Sequence, residues 1–385
     1  MHILIAPNAF KNSLTAEEVA SAIREGFMQS KLDCDCECFP IGDGGDGTAA
    51  LIIKKCGGLV VNTTVHDPFG KEINTSFGLI DEGKTAVIEM ADASGLRLLK
   101  RDELNPLLAT SFGTGEQIKM ALDKGVKKII IGMGGSATVD GGCGMLKALG
   151  VRFLDANGLE LNGLPANFIN LASIDLAELD NRVLKTEVIV LCDVDNVLLG
   201  DNGAAAMFGP QKGASAEGVV QLNSALAKFA AVSLRQTGKD MAVIRCGGTA
   251  GGASAGLFAF FNAKLVNGIE YFLTLTGFGK SLEKAALVET GEGSIDEQTL
   301  QGKGPYGVAY RAKEKGLPVI GLAGKIPLEE NDALQKYFDV LMAIGHEPLD
   351  LQAALAVTTS NLVRTAAALG NLLAIKEASF TIQTH

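Results

Sequence analysis

Residues 35–55, DCECFPIGDGGDGTAALIIKK, run from an alternating apolar stretch through a loop of two aspartates among four glycines into a helical pattern from about Thr48 to Lys55. That order of strand, glycine-rich loop and helix reads as one βα unit. A calcium-binding EF-hand loop is the first alternative, but it requires oxygen ligands at alternate positions and a glutamate at the twelfth. Asp43, Gly45 and Gly47 do not meet that pattern. The stretch is expected to form a loop past a strand end, where glycines let the backbone approach a ligand and the acids hold something cationic.

The same rhythm recurs on both sides. HILIA (2–6) leads into PNAFKNSLT and a helix for which Thr15 and Glu18 predict a capping box, with Val19, Ile23 and Phe27 at helical spacing. Between about 59 and 92, LVVNTTV, INTSFGLI and TAVIEMA are strand-like runs joined by turns, so an antiparallel insertion is expected there. Helix-plus-strand units resume with GEQIKMALDKG, KKIIIGMGGSATVDGG and EVIVLCDVDN, and a helical stretch is predicted over about 251–276. Then come ALVETGEGSID, a helix near 304–315, PVIGLAGK, DVLMAIGHE and an alanine-rich helix over about 350–370. The fold class read from this is α/β with two domains. Residues 1–60 and 280–385 are expected to form a discontinuous, Rossmann-like parallel-sheet domain, with a second α/β domain, 61–279, inserted into it and the active site in the cleft.

A chain of 385 residues suffices for two such cores. Its formal charge of −10 argues against nucleic acid or an anionic membrane surface as the main partner. A small anionic substrate needs local lysines, backbone amides or a metal ion to hold it. The seven cysteines include no CxxC pair, which suggests neither a disulfide framework nor a zinc site, and Cys34, Cys36 and Cys38 alternate as core-facing residues of a strand. The first residues lack the regions of a signal peptide, so a cytoplasmic location is expected, and self-association into a homo-oligomer is compatible with the sequence.

In open α/β sheets ligands bind past the carboxyl ends of strands. The residues there are Asn8, Lys11 and Ser13; Asp43, Asp46 and Thr48; Gly134, Gly135, Ser136, Thr138 and Asp140; Asp193 and Asp195; Glu292, Ser294 and Asp296; and Lys325. Acids, glycines and hydroxyls with two lysines suit a phosphate–magnesium site better than acyl transfer. For any single hydroxyl or acid among them, helix capping is the blander account. His66 and His346 stand alone in the sequence and default to structural roles. TLTGFGKS carries Thr274 where a Walker A loop needs its first glycine, and its context is helical. Gly132, Gly134 and Ala137 do satisfy the dinucleotide fingerprint, with Asp155 about 20 residues on. Against that reading, Gly141, Gly142 and Gly144 would fall in the first turns of the required helix, each costing about 1 kcal/mol relative to alanine.

The stretches APNAFKNSLTAEEVA, PIGDGGDGT, GTGEQI, GMGGSATVDGGCGML, CDVDN, FGPQKGA and ETGEGSID together resemble the type 1 glycerate kinases of bacteria, over nearly the whole chain. The resemblance implies ATP-dependent phosphorylation of D-glycerate, with 2-phosphoglycerate favoured over 3-phosphoglycerate as product. Roles follow from the chemistry of such a transfer. Asp43 and Asp46 are assigned to Mg²⁺; Gly44 and Gly45 are assigned to backbone approach to phosphate; Gly134, Gly135, Ser136 and Thr138 are assigned to the nucleotide phosphates. Asp193 is the favoured base, with Asp296 next, and Lys11 pairs with the substrate carboxylate or the transferring phosphate. Asn8, Ser13 and Asp195 join Lys11 as candidates for holding glycerate. A nicotinamide-dependent dehydrogenase of a small hydroxy acid and a non-catalytic sensor of a phosphorylated metabolite are the competing readings.

Overall fold

The computed structural model describes residues 1–329 and 331–381. It divides into two compact units, Met1–Asp43 with the chain from Ile269 onward, and Gly44–Gly268. The first unit opens with β1 (His2–Ile5), α1 (Ala16–Gln29) and β2 (Asp35–Cys38). The second begins with α2 (Thr48–Lys55), β3 (Leu59–His66), β4 (Glu72–Ile80), β5 (Thr85–Glu89), α3 (Met90–Ser94), α4 (Phe112–Asp123) and β6 (Lys128–Gly132). It continues with α5 (Cys143–Ala148), β7 (Arg152–Leu154), β8 (Ser173–Asp175), β9 (Glu187–Cys192), α6 (Ala204–Phe208), α7 (Ala216–Thr237), α8 (Ala253–Phe261) and β10 (Lys264–Asn267). The first unit resumes within α9 (Gly268–Leu275) and continues with α10 (Phe278–Leu282), β11 (Leu287–Ser294), α11 (Gly304–Glu314), β12 (Val319–Lys325) and α12 (Asp332–Gln335). It ends with β13 (Val340–Ala343), α13 (Leu351–Ala356) and α14 (Thr358–Thr381).

The first unit is built on a parallel five-stranded sheet, β13-β12-β11-β1-β2. Thr15 caps α1 with the predicted capping box, Glu18 answering from the third helical position. The buried Val19, Ile23 and Phe27 of α1 join Ile3 and Ile5 of β1 and Leu362, Ala366 and Leu369 of α14 in one core. Gly26 is what lets α1 and α14 pack so closely: a Cβ there would lie 2.3 Å from the Val363 carbonyl oxygen. Cys34, Cys36 and Cys38 pack against the same core, as their alternation predicts.

The second unit carries a six-stranded mixed sheet, β10-β9-β6-β5-β4-β3. Strands β3, β4 and β5 pair antiparallel, as the turn-linked runs of 59–92 predict, while β5, β6, β9 and β10 are parallel. A small antiparallel pair, β7 and β8, stands apart from it.

The division falls at 43/44 and 268/269, where the sequence placed it near 60 and 280. Helix α2 packs on the second sheet, since a Cβ on Gly78 of β4 would meet Ile53 of α2 at 2.2 Å. Ile269 packs beneath α11 of the first unit, 2.6 Å from where a Cβ on Gly307 would stand. The helical stretch expected over 251–276 is interrupted by β10, which pairs with β9 from Lys264 to Asn267. The alanine-rich stretch forms two helices, broken at Val357.

Glu289 stands between Ile5 and Ile320 in register, on the central strand β11, fully buried with neither carboxylate oxygen hydrogen-bonded. Burial holds its pKa well above the usual carboxylate range, so the proton stays on. A neutral carboxyl without partners in an apolar layer costs about 1–3 kcal/mol. Glu289→Leu is therefore expected to raise the urea-denaturation free energy at pH 7; a loss of stability would show that the carboxyl has a partner.

Candidate functional site

In the second unit Gly44 and Gly45 of the 44–47 loop serve backbone packing. The Gly44 carbonyl oxygen accepts the amides of Met133 and Gly134 at 3.1 and 3.0 Å, joining this loop to the one after β6. A Cβ on Gly134 would lie 2.4 Å from the Gly45 Cα and the Asp46 nitrogen. Gly44 itself, at φ +97°, lies against the Leu191 carbonyl near the end of β9, and its amide donates to Thr48 Oγ1 at 3.1 Å as α2 begins. Gly47, at φ +90°, occupies the N-cap, and Thr48 is the first helical residue. The Asp46 carboxylate is about half exposed, 4.0 Å from Arg97 Nε, and Arg97 also pairs with Asp92.

Residues 134–138 form the next loop. The Gly135 carbonyl accepts from Leu96 N–H, and Ala137 N–H donates to the Ser94 carbonyl, both at 2.8 Å. The amides of Gly134 and Ala137 are thus committed to backbone carbonyls and are not open to a ligand. Ser136 Oγ and the Thr138 carbonyl oxygen accept from Lys212 Nζ at 2.8 and 2.7 Å. Lys212 is 2% exposed in a short turn after α6, Pro210–Lys212. Burial lowers its pKa to about 7, opposed by the nearby carboxylates of Asp140 and Asp193. Sequence reasoning missed this residue. FGPQKGA marks a turn, but nothing local shows that its lysine is buried.

Asp140 is wholly occupied by its own surroundings. Its carboxylate accepts from Ser111 N–H and Oγ and from the amides of Gly142 and Gly144, at 2.7 to 3.1 Å. This fixes the turn into α5, so Asp140 is a scaffold for the loop rather than a ligand-facing acid. Gly144 lies inside α5, although the sequence counted glycine there as a cost to a helix. Its missing side chain lets the helix sit 2.3 Å, measured from an ideal Cβ, from Thr110 Oγ1. The dinucleotide fingerprint loses its structural context, because no helix follows β6 until Cys143. Asp155, past β7 in the separate hairpin, uses its carboxylate to accept the Asn157 and Leu159 amides.

Past β9, Asp193 is half-buried, whereas Asp195 is exposed and pairs with Arg245 at 3.5 Å. Glu89, closing β5, is a second residue that sequence reasoning passed over: it is buried, accepts the Ala49 amide at 2.9 Å, and has its other oxygen unpartnered. Burial raises its pKa well above the ordinary range. TAVIEMADAS places it at a strand end just as EVIVLCD places Asp193. His66 is not alone, since Glu116 of α4 holds its Nδ1 at 2.9 Å, and His346 meets Thr365.

In the first unit the structure brings Asn8 and Asp43 together. Asp43 Oδ2 accepts from Asn8 Nδ2 at 2.8 Å and from the Gly304 amide at 3.3 Å, at the start of α11. Glu292, near the end of β11, accepts from Thr299 Oγ1 at 2.9 Å. Burial raises its pKa to about 7, with Lys303 and Lys11 opposing that rise and Asp43 adding to it. Asp296 spends its carboxylate as an N-cap, accepting the Gln298 amide at 2.9 Å, and Ser13 Oγ donates to the Leu355 carbonyl. Lys11 and Lys325 are exposed. Among the described residues no group of three or more His, Cys, Asp or Glu is placed to hold a metal ion.

Two outcomes follow from this geometry. Gly134→Ala drives a Cβ into backbone that cannot move aside, and should cost about 1–3 kcal/mol of stability. Gly135→Ala meets its nearest neighbours only at 3.2 Å and bears mainly the strain of φ +69°, about 1–2 kcal/mol; thermal denaturation showing Gly135 as the costlier site would overturn the loop contact. For Glu292, the folded-state pKa lies above the unfolded value, so its stabilising contribution is complete below about pH 4.5 and lost as pH rises towards 7. Glu292→Gln should therefore gain stability relative to the parent across that window, by roughly 3 kcal/mol at full ionisation, and a difference that does not vary with pH would exclude the shifted carboxyl.

Comparison with known proteins adds the family. The sequence model of the glycerate kinase family matches residues 3–374. The glycerate kinase of Haemophilus influenzae is 43% identical over 98% of this chain and 100% of its own length. The glycerate 2-kinase of Escherichia coli K12 is 42% identical over 90% and 92% respectively. A crystal structure from Salmonella typhimurium LT2, named as a candidate glycerate kinase 2, superposes with a TM-score of 0.81 at 42% identity, covering 98% of this chain and 99% of that one. With the match running through every loop described above, the chain belongs to the glycerate kinase family.

Proposed function

We propose that this protein transfers the γ-phosphoryl group of ATP to the 2-hydroxyl of D-glycerate, giving 2-phosphoglycerate and ADP. The observation that carries this reading is the family match over residues 3–374, joined by relatives that include a glycerate 2-kinase similar over nine-tenths of the chain. We place the chain in the type 1 branch on the stretches quoted above. The dehydrogenase reading has no support left in the fold, because its fingerprint opens no helix.

Phosphoryl transfer depends on positioning and charge stabilisation more than on covalent chemistry of the protein. The loop 134–138, braced by Lys212, is the proposed seat of the nucleotide phosphates. Asp193 is the proposed base, held by the rigid strand β9, accepting the hydroxyl proton as the new O–P bond forms. Asn8 and Lys11 are proposed to hold glycerate, Lys11 through the substrate carboxylate. Asp296, Ser13 and Asp195 are weaker candidates than the sequence made them, since each is committed to a cap, a backbone carbonyl or an exposed ion pair.

Mg²⁺ in such a reaction neutralises charge on the β- and γ-phosphates. The donor set fits that use, because Mg²⁺ is held by one or two carboxylates together with phosphate oxygens and waters, not by an all-protein cage. Asp46, with its half-exposed carboxylate, and Asp43 are the proposed contributors.

A coupled assay tests the proposal. ADP release dependent on glycerate is expected, with Asp193→Asn lowering kcat about 100-fold or more while KM changes little. Ligand-induced stabilisation without turnover would instead establish a sensor, and full kcat in Asp193→Asn would move the base elsewhere.

A further inference from the structure

Lys212 is a cation-forming group enclosed by the protein, and its hydrogen bonding is matched to the neutral form. A neutral amine has two N–H donors, and two acceptors face it, Ser136 Oγ and the Thr138 carbonyl oxygen. Both acceptors belong to the proposed phosphate loop. The hydroxyl of Thr138, in the same place, is buried with no hydrogen-bond partner. The charged groups facing the amine are Asp140, from the loop before α5, and Asp193, past β9. Asp140 is already saturated by Ser111 and the amides of Gly142 and Gly144. The balance between burial and these two acids leaves Lys212 close to its neutral–charged midpoint near pH 7.

A polyphosphate arriving at residues 134–138 brings several negative charges to within a few bonds of this amine. Negative charge close to a buried amine favours its protonated form. We propose that ATP binding draws one proton from solvent onto Lys212, and that the ammonium so formed fixes Ser136 and the Thr138 carbonyl for transfer. The step is the addition of a solvent proton to the amine lone pair, with no other bond made or broken. Lys212 acts through the loop and is a positioning residue. The inference deepens the ATP reading above and rests on it.

The test is calorimetric titration of MgATP into the protein, without glycerate, in two buffers of different ionisation enthalpy. At pH 8, above the midpoint of the free amine, uptake should approach one proton per nucleotide; at pH 6, where it is already charged, uptake should fall close to zero. Lys212→Arg, charged throughout this range, and Lys212→Met should both bind without uptake at pH 8, and the methionine variant should show a raised KM for ATP with little change in that for glycerate. A purely structural lysine would not move the proton count. Binding heats at pH 8 that do not depend on the buffer, or equal uptake by the arginine variant, would overturn the proposal while leaving the ATP site standing. Failure of the parent protein to bind MgATP at all would overturn both. Should Lys212→Met not fold, the parent at the two pH values and the arginine variant decide the matter.

Discussion

The second unit's candidate-site loops depend on one contact between two stretches of bare backbone. Gly44 offers its carbonyl oxygen to two successive amides beyond β6, and Gly134 has no Cβ to hold the chains apart. The same Gly44 donates its amide to the first residue of α2 and lies against the end of β9. One residue thus ties together a helix start and the ends of two strands. A site registered by main-chain contacts has no side-chain rotamers to absorb an error, which suits chemistry that depends on placing phosphate oxygens accurately. Asp46 can then keep its carboxylate about half exposed, since glycines of its loop do the packing.

Buried ionisable groups in this protein differ in how many partners they have. Asp140 accepts four hydrogen bonds from backbone and hydroxyl donors and serves as the pivot of a turn. Glu89 accepts one, Glu289 none, and burial drives both towards the protonated form. Lys212 falls between, because burial favours the neutral amine while two carboxylates favour the ammonium. Desolvation acts on all of them, and the donors or charges supplied by the neighbourhood decide the outcome.

Elements whose signals are local were legible in the sequence. Helix α1 announced its start through Thr15 and Glu18 and its buried face through Val19, Ile23 and Phe27, and the strand, loop and helix of residues 35–55 fell where the pattern put them. Strand β10 was not legible, because a four-residue segment, KLVN, is too short to show a period that separates strand from helix. Gly144 was misplaced for a related reason. Propensity penalises glycine in a helix, but the approach of residues 110–112 to α5 leaves room for nothing larger. The family was legible from long motifs in order, whereas individual roles were not. Asp296 and Asp193 look alike in sequence as acids past strands, and only the structure shows that Asp296 caps its own turn. Burial of Lys212 is a tertiary property that no neighbour in FGPQKGA reports.

Asp193 and Lys212 also constrain one another. A cation near a carboxylate keeps it ionised but makes it a weaker base, so a permanently charged lysine beside the proposed base would hold it ready and blunt it together. A neutral amine would leave Asp193 the stronger base but give the proposed phosphate loop no charge to oppose the nucleotide. An amine poised near its midpoint in the free protein and charged once the polyphosphate is present, as proposed, would resolve this conflict in time. The added positive charge arrives with the negative charge it offsets, so the field at Asp193 changes less than either charge alone would cause. Burial makes this possible: on the surface the same lysine would remain charged at every physiological pH.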